Sequence, residues 1–123
     1  MALSSTPQSW TLEMPIGSLQ EYLFTFTYPS TGALFPISGA TWQYVAQNTA
    51  GSQVISVTPS ANSQGVLTVG TTASTVQLNL YPAATQSLAA GTYSHALWMN
   101  PDSSTAAFTW FNGALILGSN PQP

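Results

Sequence analysis

Apolar and polar residues alternate with a period of two along most of the 123 residues of this chain. In the segment EYLFTFTY (21–28), every second residue from Tyr22 onward is aromatic, so the rings fall on one face. In TVQLNL (75–80), the three aliphatic residues share a face in the same way. Such alternation is typical of half-buried antiparallel strands, because successive side chains of a strand point to opposite faces.

Short clusters of glycine, proline, serine and asparagine separate the alternating segments and are typical of turns. They divide the chain into about eight predicted strands, at residues 10–14, 21–28, 41–47, 54–58, 66–69, 75–81, 92–100 and 107–117. A proline and a later glycine allow one helical turn within 82–91. Strands of this number and spacing predict an all-β fold, an immunoglobulin-like antiparallel β-sandwich. We expect the sandwich to span residues 10–117, with irregular arms at 1–9 and 118–123.

The charge content is very low, with no lysine, no arginine and only three acidic residues, Glu13, Glu21 and Asp102. Binding to nucleic acid and attraction to anionic membranes both depend on basic side chains, so we expect neither partner. Arginine or lysine clamps on phosphate or carboxylate substrates are excluded for the same reason. The surface must be neutral and polar, which is better tolerated where an assembly covers much of it.

The absence of cysteine excludes disulfides, thiolate metal ligands and a cysteine nucleophile. The N-terminal sequence MALSSTPQSW has neither the basic region nor the apolar region of a signal peptide. No apolar stretch approaches the roughly 20 residues of a membrane-spanning helix. We therefore expect the protein to be made, and first to fold, in a cytoplasm.

Few residues of the chain could carry chemistry. His95, Asp102 and one of many serines supply the residue types of a Ser–His–Asp triad, but no G-x-S-x-G motif is present and the histidine falls in the middle of a predicted strand. Glu13 and Glu21 would have to converge to act as a carboxylate pair. One histidine and three acids are too few for a tetrahedral zinc site, and a calcium site at Asn100 and Asp102 lacks a loop signature. We predict no catalytic, cofactor-binding or metal-binding residues and no enzymatic activity.

The segment SLAAGTYSHALWMNPD leads into the predicted strand that carries the histidine. Leu88, Gly91 and Tyr93 have the spacing of a tyrosine corner, in which a tyrosine near the start of a strand hydrogen-bonds back to the arch before it. We therefore predict a stabilising role for Tyr93. Alternation places His95 on the same face as Tyr93, and Trp98 on the opposite face.

Five aromatic residues could belong to the core, to a contact with another subunit, or to a platform on which sugar rings stack: Trp42, Tyr44, Trp98, Trp110 and Phe111. Alternation predicts that Phe108 and Trp110 share one face of the last strand and that Phe111 lies on the other. One aromatic row would then be exposed to a ligand or to a subunit. The sequence leaves these alternatives open, and the five residues are the candidates for an interface.

Several stretches of the chain together resemble small tail-associated proteins of long-tailed bacteriophages, including the N-terminal module of baseplate upper proteins. The stretches are LFTFTYPSTGALFPISGATWQYVAQN, TVQLNLYPAATQSLAAGTYSHALWMNPD and FTWFNGALILGSNPQP. The family's Gly-Ala-Thr element is matched at 37–41, its strand-entry element at Thr85, Leu88, Gly91 and Tyr93, and its closing element from Gly113. The resemblance covers about residues 23–117 and consists of turn glycines and a corner tyrosine.

The resemblance implies an immunoglobulin-like sandwich that attaches to, or builds, a virion, and it brings no active site. The chain departs from the family in its uncharged segment QYVAQN, and we expect no receptor-binding domain after the sandwich. We therefore expect a free-standing accessory subunit, located in the virion and made in the host cytoplasm. The expected function is a non-enzymatic structural protein, a minor tail or baseplate component that contacts other virion proteins and copies of itself. The alternatives are a capsid decoration protein and a glycan-binding module at the tail tip.

Overall fold

Nine β-strands and one short 3₁₀ turn form in the part of the chain that the computed structural model describes, residues 8–28, 31–105 and 107–118. The strands are β1 (Gln8–Ser9), β2 (Leu12–Pro15), β3 (Gln20–Thr25), β4 (Trp42–Gln47), β5 (Gln53–Val57), β6 (Gly65–Gly70), β7 (Thr75–Leu80), β8 (Gly91–Met99) and β9 (Phe108–Gly118). The 3₁₀ turn is Pro82–Ala84, which begins at the expected proline but ends well before the expected glycine. Eight of the nine strands overlap the eight predicted ones.

The strands are arranged in two sheets. The larger sheet has the order β1-β9-β8-β4-β5, with β2 also paired to β9, and the smaller one has the order β3-β7-β6. The order β9-β8-β4-β5 in the larger sheet and the order β3-β7-β6 in the smaller sheet match the strand order of an immunoglobulin-like sandwich. The predicted all-β sandwich is therefore confirmed.

Two strands depart from the prediction of a purely antiparallel fold. Both β1 and β2 pair with β9 in the parallel direction, with Leu12 beside Leu115 and Met14 beside Leu117. Alternation of side chains is the same in parallel and antiparallel strands, so the sequence pattern carries no information on direction. Gln8, Ser9 and Gly118, which the prediction assigned to the arms, lie in strands of the larger sheet. The rest of the two predicted arms, residues 1–7 and 119–123, lies outside the described residues.

The core lies between the two sheets and is built from alternate residues of each strand. Tyr44, Leu78 and Leu97 are 0% exposed. On β4, the buried residues Trp42, Tyr44 and Ala46 alternate with half-buried Gln43 and Val45, as the sequence pattern predicts. The largest of the fully buried side chains are those of Trp42, Tyr44, Phe26, Ile37, Ile55, Leu67, Leu78, Leu80, Leu97, Leu115, Leu117 and Val57. No helix of the described residues is long and apolar enough to span a membrane.

A β-bulge interrupts the alternation on β9. Leu97 pairs with Phe111, but the next residue, Trp98, pairs with Thr109, so Trp110 is an extra residue in the strand. A bulge of this kind turns the side chains that flank it out of strict alternation. Trp110 and Phe111 therefore both pack toward the core, and the prediction that Phe111 lies on the face opposite Trp110 is wrong.

Candidate functional site

His95, the only histidine, is 3% exposed and lies among three separate segments of the chain. Strand β8 positions it opposite Ala46 of β4 and Gly113 of β9. Its Nδ1 lies 2.9 Å from the hydroxyl of Tyr44, and its Nε2 lies 2.7 Å from the backbone carbonyl of Trp10. The imidazole ring also stacks on the Trp10 indole, with ring centroids 4.2 Å apart. Both ring nitrogens are thus used within the fold.

The contacts of His95 determine which tautomer its neutral ring adopts. A carbonyl oxygen can only accept, so Nε2 carries the hydrogen and donates to Trp10; in the neutral ring, Nδ1 then accepts from the Tyr44 hydroxyl. Burial lowers the pKa of His95 from its ordinary value of 6.5, although the hydrogen bond to Trp10 opposes this shift. Burial likewise raises the pKa of the Tyr44 hydroxyl, and proximity to Tyr22 raises it further. The pair is therefore neutral near pH 7.

Trp10 reaches His95 because β9 carries a glycine at the point of contact. The Trp10 N–H donates to the carbonyl of Asn112 at 2.8 Å. A Cβ added to the neighbouring Gly113 would overlap the Trp10 carbonyl oxygen and lie 2.9 Å from its carbonyl carbon. The glycine therefore permits the segment between β1 and β2 to lie directly against the sheet. Sequence reasoning missed this contact, although a glycine inside a strand pattern is a known signal of close backbone approach.

The arrangement differs from each catalytic site that the residue types would allow. Among the described residues, no carboxylate and no serine hydroxyl is hydrogen-bonded to His95, whose partners are a phenol and a backbone carbonyl. Glu13 is exposed on β2 of the larger sheet, and Glu21 is exposed on β3 of the smaller sheet. Their neighbours point into the core, so the two carboxylates lie on opposite outer faces of the sandwich and do not converge.

The described residues contain no group of three or more potential metal ligands. The side-chain oxygen of Asn100, considered above with Asp102 for calcium, instead accepts the backbone N–H of Thr41 at 2.9 Å. The Asn100 N–H in turn donates to the Thr41 carbonyl at 2.7 Å. Asn100, which has a φ of 53°, thereby closes the end of the β4–β8 pair, which is a structural role.

The hydroxyl of Tyr93 donates to the backbone carbonyl of Ala89, four residues earlier, at 2.7 Å. This is the contact that defines a tyrosine corner, and it spans the arch that leads into β8. Leu88 packs against the core, and its N–H donates to the carbonyl of Thr85. Thr85 is fully buried, and its hydroxyl accepts the N–H of Gly17 at 2.9 Å, which joins the arch to the turn before β3. Sequence reasoning placed Thr85 in the strand-entry element but did not predict this contact, because its partner lies 68 positions away in the chain.

Three of the five aromatic residues predicted as interface candidates are buried in the core. Trp42 is 2% exposed, Tyr44 is 0% exposed and Trp110 is 9% exposed, so none presents its ring to a partner. The interface prediction is wrong for these three residues, because the inward face of each strand packs against the opposite sheet. Phe111 is half-buried against Phe24, with ring centroids 4.8 Å apart. These four rings therefore do not form the exposed aromatic row that a glycan platform needs.

Trp98 is the one member of that set that lies on the outer face of the larger sheet. It is half-buried beside a depression of about 230 Å³, whose lining also includes Val45, Gln47 and Asn112. No carboxylate lines this depression. A second depression, of about 490 Å³, lies at the end of the sandwich beside Asp102 and is lined by the segments 40–43, 58–60 and 101–102.

No protein-family model matches this chain, and no curated protein matches it either. The resemblance to phage tail-associated proteins therefore rests on the turn and corner residues quoted above and remains a prediction.

Proposed function

We propose that this chain is a non-enzymatic structural subunit of a tailed-phage virion, a minor tail or baseplate component that works through contacts with other virion proteins and with copies of itself. One observation carries the proposal: the groups that could do chemistry do not come together in a catalytic arrangement. The nitrogens of His95 are bonded to Tyr44 and Trp10, and the carboxylates of Glu13 and Glu21 stand apart.

The outer surfaces support a role in assembly. On the larger sheet, Val45, Ala96, Ala114 and Ile116 are half-buried residues of the outer face, and Trp98 lies among them. A neutral surface of this kind can be covered by a protein partner without the desolvation of charged groups. It offers nothing to a polyanion, because the chain has no lysine or arginine.

There are two alternatives: a capsid decoration protein, which is also a virion structural protein, and a glycan-binding module, which belongs to a different functional class. A capsid decoration protein would use the same kind of neutral surface, so the position in the particle separates it from a tail component. A glycan-binding module at the tail tip is less well supported, because Trp42, Tyr44 and Trp110 are buried and a single half-buried indole, that of Trp98, remains on the outer face.

Immunogold electron microscopy of particles of the phage that encodes the chain tests the proposal. We expect label at the tail tip or baseplate. Label distributed over the head would replace this assignment with capsid decoration. If particles carry no label, immunoblotting of purified particles distinguishes a covered epitope from a protein outside the virion, and a negative blot would refute the proposal.

A further inference from the structure

The smaller sheet ends at β3 in a row of backbone groups that form no hydrogen bond with any described residue. The N–H of Phe26 donates to the carbonyl of Ser74 at 2.9 Å, in line with the β3–β7 register. In an antiparallel pair, alternate residues point their N–H and C=O groups at the neighbouring strand. The backbone N–H and C=O groups of Glu21, Leu23 and Thr25 therefore point away from β7. No hydrogen bond joins their backbone groups to any other part of the described chain.

The edge at β5 contrasts with β3, because two amide side chains cover it. The side chain of Gln64 accepts the N–H of Ser56 and donates to the carbonyl of Val54, both at 2.9 Å. The side-chain amide of Asn62 donates to the carbonyl of Ser56, also at 2.9 Å. These side chains take the place of a neighbouring strand, so the edge at β5 is closed to one.

The edge at β6 is covered in part by the connection between β5 and β6, residues 58–64, which also supplies Asn62 and Gln64. The N–H of Leu67 donates to the carbonyl of Thr58 at 3.0 Å. The N–H of Gly65 donates to the side chain of Asn62 at 3.1 Å, and its carbonyl accepts the Asn62 N–H. On the remaining side of the larger sheet, β1 has two residues and β2 ends at Pro15, both of which limit further pairing.

Apart from the charge of Glu21, strand β3 carries none of the usual devices that prevent edge pairing. It has six residues, QEYLFT, without a lysine, a proline or a bulge. Its Leu23 is 65% exposed, the highest value among the large apolar residues of the described chain. An added strand would satisfy the free backbone groups and cover this leucine. The chemistry of the edge thus specifies an extended strand as its occupant.

We propose that β3 pairs with β3 of a second copy of this chain, antiparallel and about a two-fold axis at Leu23. In this register Leu23 faces Leu23 of the second copy, and Glu21 faces Thr25. Three hydrogen-bonded residue pairs form, and the two smaller sheets become one continuous six-stranded sheet.

The charge distribution favours this register. The only charged residue on β3 is Glu21, and the chain has no cation that could neutralise a pair of facing carboxylates. Centring the pair on Leu23 separates the two Glu21 positions by about 14 Å along the strands, at about 3.4 Å per residue. That separation exceeds the Debye length of about 8 Å at physiological ionic strength, so their repulsion is screened. The symmetric register therefore keeps the charges apart and joins the exposed leucines.

The pairing closes after two copies. A contact in which the same surface is used by both partners forms a two-fold dimer, and the covered edge at β5 offers no comparable site for further strands. This contact between two β3 strands is one surface through which copies of the subunit meet. Its biological meaning rests on the proposed function.

Sedimentation equilibrium of the purified chain over a range of concentrations tests the pairing. We expect a reversible monomer–dimer equilibrium that Leu23→Glu weakens at least roughly tenfold, because like charges then face each other directly. Leu23→Pro should weaken it similarly by removing an outward N–H that β7 does not use. The matched control is Gln77→Glu, which adds the same charge directly beside Leu23, on the central strand of the sheet. It should leave dimerisation within about twofold, because β7 offers no backbone group to the partner and the two added charges stand three strand spacings, about 14 Å, apart across the dimer.

Amide hydrogen exchange followed by NMR gives a second measurement. The amides of Leu23 and Thr25 should exchange at least roughly tenfold more slowly in the dimer than in the monomer, since each becomes hydrogen-bonded. A wild-type chain that stays monomeric, or a dimer disrupted by Gln77→Glu but not by the two Leu23 variants, would overturn the edge pairing. These solution results are independent of particle labelling, so a tail-labelled monomer overturns only the pairing. A dimer absent from purified particles overturns only the virion assignment.

Discussion

Replacing Gly113 with alanine should separate the segment that contains Trp10 from the larger sheet. The added Cβ would overlap the Trp10 carbonyl oxygen, which would have to retreat by roughly 1 Å to reach ordinary van der Waals contact. The obstacle is the backbone of Trp10 rather than a flexible side chain, so it cannot be relieved by a change of rotamer. The same oxygen accepts the hydrogen bond from His95 at 2.7 Å.

The magnitude follows from the bonds that the retreat would break. Leaving the buried Nε2–H of His95 without an acceptor costs about 1–3 kcal/mol. Losing the bond between the Trp10 N–H and the Asn112 carbonyl costs about 1 kcal/mol more. We expect Gly113→Ala to lower the free energy of unfolding by about 2–4 kcal/mol. For a domain of this size, that corresponds to a fall in Tm of roughly 8–16 °C.

Urea and thermal unfolding followed by far-UV circular dichroism measure this difference without depending on the fluorescence of Trp10. The matched control is Gly91→Ala, the same chemical change at a strand glycine of similar φ (150° against 157° at Gly113), where an added Cβ meets nothing within 4 Å. We expect that control to lose at least about 2 kcal/mol less stability than Gly113→Ala, because it breaks neither hydrogen bond. If the two variants are equally stable, the close approach of Trp10 is not what requires a glycine at 113, and the reasoning is refuted.

Two further predictions concern Tyr93 and His95. Tyr93→Phe removes the bond to the Ala89 carbonyl and should lower the free energy of unfolding by about 0.5–1.5 kcal/mol, as measured by urea unfolding; unchanged stability would argue against the corner. Because burial lowers the pKa of His95 in the folded state, the unfolded chain takes up this proton first as the pH falls below 6.5. The free energy of unfolding of the wild type should therefore decline below pH 6.5 and level off below the folded-state pKa of His95. Urea unfolding at a series of pH values measures this decline, and we expect His95→Gln to lack the part of it that is due to His95. Equal pH dependence in both proteins would contradict the buried neutral histidine.

Much of the sandwich was predictable from local pattern. The alternation in β4 and β7 identifies both the strands and their inward faces, because a strand that is half-buried must place its apolar residues at every second position. The glycine and tyrosine at 91 and 93 mark the entry into β8 for a similar reason: the hydroxyl of the tyrosine reaches a carbonyl only four residues away. Contacts over such short distances along the chain leave a signature in the sequence.

The candidate site was less predictable, since its members come from distant segments. Trp10 and His95 are separated by 85 positions, and Tyr44 and His95 by 51. Neither the stacking of Trp10 on His95 nor the coverage of the β5 edge by Gln64 follows from the residues around them. The bulge at Trp110 likewise depends on how β9 aligns with β8, so alternation misassigned Phe111.

The sequence by itself determined the positions of the strands, the faces they bury and a surface that lacks positive charge. Those properties depend on the order of side chains along one strand and on composition. Only the tertiary structure decided that β1 and β2 run parallel to β9, that His95 is a buried hydrogen-bonding partner of Tyr44 and Trp10, and that no described strand pairs with the outer edge of β3. The physical reason is that a period of two fixes which side chains share a face, whereas the identity, direction and register of the neighbouring strand depend on packing across the whole sandwich.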